Sequence, residues 1–309
     1  MDFENSIIIV GKTRLEQLIE RFNTRAQARF YIEHAGGIFA DYEEEHETFH
    51  RALTSITRTV HRYTKCKQVD RKYLPNFLFG DNDLVIVVGQ DGLVANTAKY
   101  AGERPILAVN PDTQRNDGIL LPFTTDTFEK GLTGLLKDRM PQKRVTLAEA
   151  RTNDGQRLLA FNDLFIGPAT HTSARYRVSH HGITENQSSS GLIVSTGAGS
   201  TGWLSSALNM AYGISQTFSS FADHSSLTMN WSDDRLAFVV REPFRSKHSG
   251  IEITAGYIDA EEKLVIESFM PTNGVIFSDG MEADYITFNS GTRVEIGLAQ
   301  HKATLVTTD

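Results

Sequence analysis

Residues Asn82–Tyr100 read NDLVIVVGQDGLVANTAKY. Five consecutive apolar residues, Leu84 to Val88, make the kind of run that a strand buried on both faces of a parallel sheet requires. The run stops at Gly89-Gln90-Asp91-Gly92, and Leu93, Ala95, Ala98 and Ala101 are then available to pack one side of a helix. This order predicts a strand, a tight glycine turn and a helix in succession. Open α/β sheets bind ligands at the carboxyl ends of their strands, and a helix N-terminus in that place favours phosphate. A carboxylate on such a turn is poorly suited to hold phosphate itself. Asp91 suits instead a metal, or the proton of a hydroxyl beside one; the alternative is that it only caps the helix.

Outward from this unit, the same texture fills the first half of the chain. Ser6 to Val10 reads as another buried strand, and Ile106 to Val109 as a third, ending at Asn110-Pro111-Asp112. Asn110 and Asp112 are therefore expected beside Asp91 along one sheet edge. Leu15, Leu18, Ile19, Phe22 and Ala26 recur at helical spacing and predict one helix covering the sheet. A second helix follows the acidic patch Glu43 to Glu45, with Phe49, Leu53, Ile56, Val60 and Tyr63 as its apolar stripe. A third is predicted between Asp126 and Arg139, with a domain boundary at Met140-Pro141-Gln142. Gly11-Lys12-Thr13 resembles the end of a phosphate-binding P-loop, but Ser6 stands where that motif needs glycine, and a strand runs where it needs a loop.

His46-Glu47-Thr48-Phe49-His50 matches the H-E-x-x-H pattern, in which two imidazoles one turn apart hold zinc. A site of that type takes a third protein ligand, commonly further along the chain. No Glu follows until Glu103, so these histidines read as a solvated helix face.

Composition narrows the possibilities. With 309 residues, 40% hydrophobic and 22% charged, the chain is globular with room for two domains. A net charge of -7 argues against nucleic acid as the main partner. The single Cys66 forbids an internal disulfide and a cysteine-rich zinc site, which points to a reducing cytoplasm. No apolar run approaches the roughly 20 residues that span a bilayer. The N-terminal MDFENSIIIVGK has no basic region before its apolar run, and a mature cytoplasmic chain is expected.

From Arg144 onward the pattern becomes short strands and turns. Candidate strands are Arg144 to Ala150, Leu158 to Ile166, Tyr176 to Val178, Leu192 to Ser195, Leu236 to Val240, Gly250 to Thr254, Lys263 to Glu267, Val275 to Ser278 and Arg293 to Gly297. Gln187 to Ser190 reads as a loop, as do His171 and the pair His180-His181. The expected fold is thus an α/β N-terminal domain with a parallel, Rossmann-like sheet over 1–142, and a mostly-β C-terminal domain over 143–309. The last residues are left to return to the first domain. Within the β domain, Ser195-Thr196-Gly197-Ala198-Gly199-Ser200-Thr201-Gly202-Trp203 precedes a predicted helix. Closely spaced glycines let backbone approach a ligand, and the hydroxyls supply donors without bulk.

These landmarks together resemble the NAD kinase family, part of the larger group that contains diacylglycerol and sphingosine kinases. Gly89-Gln90-Asp91-Gly92 stands where the family has Gly-Gly-Asp-Gly, and Asn162-Asp163 resembles its Asn-Glu pair. Thr196 to Trp203 resembles its Thr-Pro-Thr-Gly-Ser-Thr-Ala-Tyr segment, and Asp279-Gly280 a further Asp-Gly landmark. Lys12-Thr13-Arg14, Ser189-Ser190-Gly191 and Trp203 look most similar to the mitochondrial type.

The resemblance implies phosphorylation of the adenosine ribose 2′-hydroxyl of NAD to give NADP, with ATP as donor and Mg2+ or another divalent metal. It makes Asp91 the base, with Gly89, Gly92 and Asn110 beside it. It assigns Asn162 and Asp163 to the dinucleotide, and Thr196, Gly199, Ser200, Thr201, Trp203 and Asp279 to the rest of the nucleotide site. It further implies a homodimer or homotetramer. NAD against NADH, and ATP against polyphosphate, stay open. Departures from the pattern are Gln90 for Gly, Leu93 for a polar residue, Asp163 for Glu, Gly197-Ala198 for Pro-Thr and Ser190 for Asp. Gln90 puts a side chain where backbone would meet phosphate. The alternatives are accordingly a non-catalytic NAD(P) sensor on the same fold, or a kinase for another small-molecule hydroxyl.

Overall fold

The computed structural model describes residues 3–218, 227–282 and 284–308. The chain divides into two compact units, Met1–Lys143 with Thr304–Asp309, and Arg144–Ala303.

In the first unit the strands β1 (Asn5–Val10), β2 (Lys65–Asp70), β3 (Asp83–Val88), β4 (Pro105–Asn110), β5 (Phe123–Thr124) and β6 (Gln142–Val145) join the C-terminal strand Ala303–Val306 in one sheet. Its order is β2-β1-β3-β4, then the C-terminal strand and β6, with β5 paired to β4. The pairs of β1 with β2 and β3, and of β4 with β3, β5 and the C-terminal strand, are parallel. The all-apolar runs of β1, β3 and β4 bury on both faces. Val10 pairs with Val88 and Val88 with Val109, so Gly11, Gly89 and Asn110 follow at a common edge.

Helices α1 (Arg14–Phe22), α2 (Arg25–His34), α3 (Phe39–Val60), α4 (Asp91–Ala101) and α5 (Phe128–Leu136) complete the unit. Phe49, Leu53, Ile56 and Val60 of α3 share a core with Ile8, Ile86, Val88 and the α5 residues Phe128 and Leu132. The single helix expected over Leu15 to Ala26 is two. Asn23 takes the left-handed conformation at φ 66° and ends α1, and the Thr24 hydroxyl then accepts the Gln27 N–H to start α2. Leu15 packs with Ala28, Ile32 and Phe39, on neighbouring helices rather than on the sheet, and Ala26 is exposed. The acidic patch lies inside α3, and Tyr63 falls beyond it with its hydroxyl on Glu129. No helix among the described residues is long and apolar enough to cross a membrane.

The second unit is an antiparallel sandwich. Its strands are β7 (Ala148–Thr152), β8 (Arg157–Ala160), β9 (Asp163–Pro168), β10 (Ala174–His180), β11 (Ile183–Ser189), β12 (Leu192–Ser195), β13 (Leu236–Val240), β14 (Ala255–Ile258), β15 (Leu264–Ser268), β16 (Gly274–Ser278), β17 (Ile286–Thr287) and β18 (Arg293–Leu298). One sheet runs β11-β10-β15-β18-β7-β8, the other β14-β13-β12-β9-β16-β17. Tyr176, Val178, Ile266 and Ile296 from the first meet Ile166, Val194, Phe238 and Ile276 from the second in one core. Helix α6 (Trp203–Phe218) follows β12, and its Leu204 packs with Ala237.

Gln187 to Ser189 belong to a strand, β11, which forms a hairpin with β10 through His181-Gly182. Its sequence ITENQSS lacks apolar alternation because most of its side chains stand on an outer face. The strand expected at Gly250 to Thr254 lies later, at Ala255–Ile258. His180 is a buried strand residue with Nε2 2.8 Å from the Tyr257 carbonyl, while His181 occupies the turn at φ 48°.

Candidate active site

In the first unit, β3 ends at Val88, Gly89 follows and α4 begins at Asp91, with Gln90 as an extended N-cap whose side chain is exposed and makes no capping bond. A Cβ on Gly89 would lie 2.9 Å from the Leu93 side chain, whereas Gly92 faces open space. A cavity of about 980 Å³ opens at this edge, lined by Gly11 to Arg14, Gly89, Gln90, Gly92, Arg71 and the Pro111–Asn116 loop. Its place at the carboxyl ends of β1 and β3, where the strand order reverses, is where sheets of this type bind ligands.

Asp91 is half-buried and its Oδ1 accepts the Leu120 N–H at 2.6 Å. That bond docks the loop after β4 onto the turn and fixes the carboxylate. Asn110 is buried: its Oδ1 accepts from the Asp112 N–H at 3.0 Å and its Nδ2 donates to the Asn116 carbonyl at 3.1 Å. It therefore shapes the loop instead of facing the cavity. Cationic groups border the space in pairs, Arg14 with Glu45 and Arg115 with Asp112 at 2.7 Å and Glu44 at 2.6 Å. An anionic ligand would exchange these partners for its own charge.

In the second unit, a further set of residues converges on the β8–β9 junction. The Asp279 carboxylate accepts the backbone N–H groups of Phe161, Asn162 and Asp163, and Asp279 itself sits at φ 53°. Burial, together with the Asp279 charge, pushes the Asp163 carboxyl up to about 7. Thr196 is fully buried; its hydroxyl donates to the Phe161 carbonyl at 2.5 Å and accepts the Gly199 N–H. The Ser200 hydroxyl donates to the Gly197 carbonyl at 2.8 Å. A Cβ on Gly197 would stand 1.9 Å from the Asn230 oxygen, and one on Gly199 2.1 Å from the Asn162 oxygen. These hydroxyls and glycines close the loop against backbone.

The exposed Thr201 and the half-buried Trp203 follow at the start of α6. Trp203 stacks on Phe165 at 5.6 Å and 11°, and the Arg241 guanidinium lies 5.6 Å above its ring. They border a cavity of about 1340 Å³ whose walls include Thr170, Ser190, Glu242 and Tyr285. Arg241 carries no motif in the sequence; it enters only because β13 delivers it beside Trp203. The predicted residues therefore form one group per unit: Gly89, Asp91, Gly92 and Asn110 in the first, and Asn162, Asp163, Thr196, Gly199, Ser200 and Asp279 in the second, with Thr201 and Trp203 at the foot of α6.

The chain thus combines a parallel α/β unit carrying a Gly-Asp turn with an antiparallel sandwich. Over its whole length the chain superposes on the yeast NADH kinase complexed with NADH, with a TM-score of 0.64, 13% identity and 84% of that chain covered. It likewise matches an NAD kinase from Archaeoglobus fulgidus in complex with ATP, with a TM-score of 0.57 at 15% identity, over 98% of this chain and 94% of that one. In sequence, 145 residues are 30% identical to the NAD kinase of Saccharolobus islandicus strain M.14.25, covering 47% of this chain and 56% of that protein. The NAD kinase of Saccharolobus solfataricus is 28% identical over 145 residues. The chain thus spans little more than half the length of the curated relatives it matches. No family model matches it. The chain has the NAD kinase fold and is homologous to NAD kinases over the matched residues.

Proposed function

We propose that the protein is an NAD kinase, transferring the γ-phosphoryl group of ATP to the adenosine ribose 2′-hydroxyl of NAD(H). The observation that carries this reading is the placement of Asp91: a fixed carboxylate on a glycine turn, at a helix N-terminus, beside a cavity bordered by Arg14, Arg71 and Arg115. Oδ1 is held by the Leu120 N–H, which leaves Oδ2 to take the proton of the attacking hydroxyl. The hydroxyl oxygen then bonds to the γ-phosphorus as the bridge to the β-phosphate breaks, and ADP leaves. Phosphoryl transfer asks chiefly for positioning and neutralised charge, which the helix N-terminus and the arginines supply.

A divalent metal bound with the ATP phosphates would find oxygen donors suited to a hard cation such as Mg2+ in Asp112, Asp41 and Glu45, which line the cavity, and in Asp91 on the turn beside it. In the second unit, Asn162 and Asp163 are assigned to the dinucleotide, and Trp203 offers a stacking face already aligned by Phe165. A cytoplasmic homodimer or homotetramer belongs to the same reading and rests on the family resemblance. The test is a coupled assay of NADP formation from NAD, MgCl2 and ATP, with Asp91→Asn beside the wild type. We expect turnover in the wild type and a fall of at least about 100-fold in kcat for the variant. Equal turnover in both would end the assignment of Asp91 as base.

A further inference from the structure

The third donor that the H-E-x-x-H pattern lacks downstream is supplied from upstream. Helix α3 puts His46 and His50 one turn apart, with their rings 4.3 Å from centroid to centroid. Helix α1 packs against them and brings Glu16, thirty residues before His46 in the sequence. One donor atom from each of Glu16, His46 and His50 lies within 4.8 Å of the other two. From this geometry we infer a site for a zinc-class divalent cation that ties α1 to α3, a function distinct from phosphoryl transfer.

The donor set carries the choice of ion. Two imidazoles and one carboxylate suit zinc and similar first-row ions, whereas magnesium and calcium take oxygen ligands and keep water. Ligands on a tetrahedral zinc, at about 2.0–2.2 Å from the metal, stand roughly 3.3–3.5 Å apart. The Glu16 Oε1 to His50 Nε2 separation is already 3.0 Å, so small side-chain rotations bring all three donors onto one centre. The His50 side chain is 43% exposed and that of Glu16 32%, which leaves an entry path and room for water as the fourth ligand. A partner next to the site also fits. The Thr13 hydroxyl is 3.0 Å from His46 Nδ1 and hydrogen-bonds the second Glu16 oxygen at 3.3 Å, the kind of outer contact that orients a ligating side chain. Without a metal the same groups satisfy one another, with Glu16 closing the capping box on the Thr13 N–H at 2.8 Å. Glu47, the remaining charged residue of the pattern, is exposed, and no hydrolytic step is assigned to the site.

The test uses the full-length chain, stripped with a chelator and titrated calorimetrically with ZnCl2 and, separately, with MgCl2. The wild type should bind one zinc ion per chain and melt at a higher temperature with it, and Co2+ in its place should give visible absorption bands of a histidine-ligated ion. His50→Gln and Glu16→Gln should weaken zinc binding by at least about tenfold, since removal even of an outer-shell partner costs that much. Glutamine at position 16 can still close the capping box, so the second variant keeps the fold. His181→Gln, at the other adjacent histidine pair, should bind zinc as the wild type does. The inference is overturned by a wild type that takes up no zinc, by His50→Gln and Glu16→Gln variants that bind it equally well, or by loss of binding in His181→Gln alone.

Discussion

At Asp163 two influences act in the same direction: burial disfavours the charged form, and the neighbouring Asp279 carboxylate repels it. The carboxyl moves from an ordinary 3.8 to about 7. Below pH 3.8 it is protonated in the folded and the unfolded chain alike, and it costs nothing. As pH rises from there to about 7, the unfolded chain releases the proton while the folded one retains it, so stability is lost across that window. The full difference corresponds to about 4 kcal/mol, and solvent at the half-buried group reduces the expected cost to about 1–2 kcal/mol. Asp163→Asn should therefore raise the melting temperature by a few degrees at pH 8 and by less at pH 5; an equal shift at both values would show that Asp163 is not held protonated. At this scale the sequence displays residue type but not which way a side chain turns. Asp91 was legible because a carboxylate interrupts a glycine turn. The inward use of the Thr196 hydroxyl, and the arrival of Glu16 beside His46, depend on partners 30 or more residues away.

Glycines at two elements carry opposite demands, and a methyl group distinguishes them. At Gly199 a Cβ would come within 2.1 Å of the Asn162 oxygen, a backbone atom that cannot swing aside. Gly199→Ala should lose about 3 kcal/mol or more, because the β12–α6 loop must part from the β8–β9 junction. At Gly92, in the first turn of α4, nothing lies within 4 Å and φ is not in the left-handed region. Gly92→Ala should hold or raise stability by about 0.5–1 kcal/mol through the helix. The same methyl points into the space assigned to phosphate, so NADP formation should fall while the melting temperature does not; melting curves and the coupled assay on both variants check this. Elements with unbroken apolar runs, β1, β3 and β4, could be read from sequence because burial on both faces leaves no polar positions. β2, with the sequence KCKQVD, and β11 could not, since an edge or outer-face strand needs few apolar side chains. The break between α1 and α2 was written in Asn23-Thr24, a left-handed end followed by a cap, and a count of apolar spacing passes over it.

Across the whole molecule, the first unit is discontinuous along the chain, because residues 144–303 are inserted between its two parts. Sequence reading leaves the last residues to return to the first domain, but the four residues ATLV at 303–306 are too short to announce a strand by periodicity. Yet they lie between β4 and β6 in the sheet, and Leu305 and Val306 are 4% and 1% exposed. Thr304 and Leu305 pair in parallel with Pro105 and Ile106, and the Thr307 N–H donates to the Pro141 carbonyl at 2.9 Å. Deleting residues 304–309 removes two buried aliphatic side chains, worth about 3–5 kcal/mol together, and strips part of the ladder from β4. Against a typical domain stability of about 5–15 kcal/mol, that loss should open the parallel sheet well before the sandwich. Hydrogen exchange on the truncated chain should show β4 and β3 amides losing protection while those of β10 and β15 keep theirs. Unchanged protection in β4 would mean that the sheet closes without its last strand, and that the C-terminal return is an ornament of the fold rather than a support for the strand after which Asn110 organises the Asp91 loop.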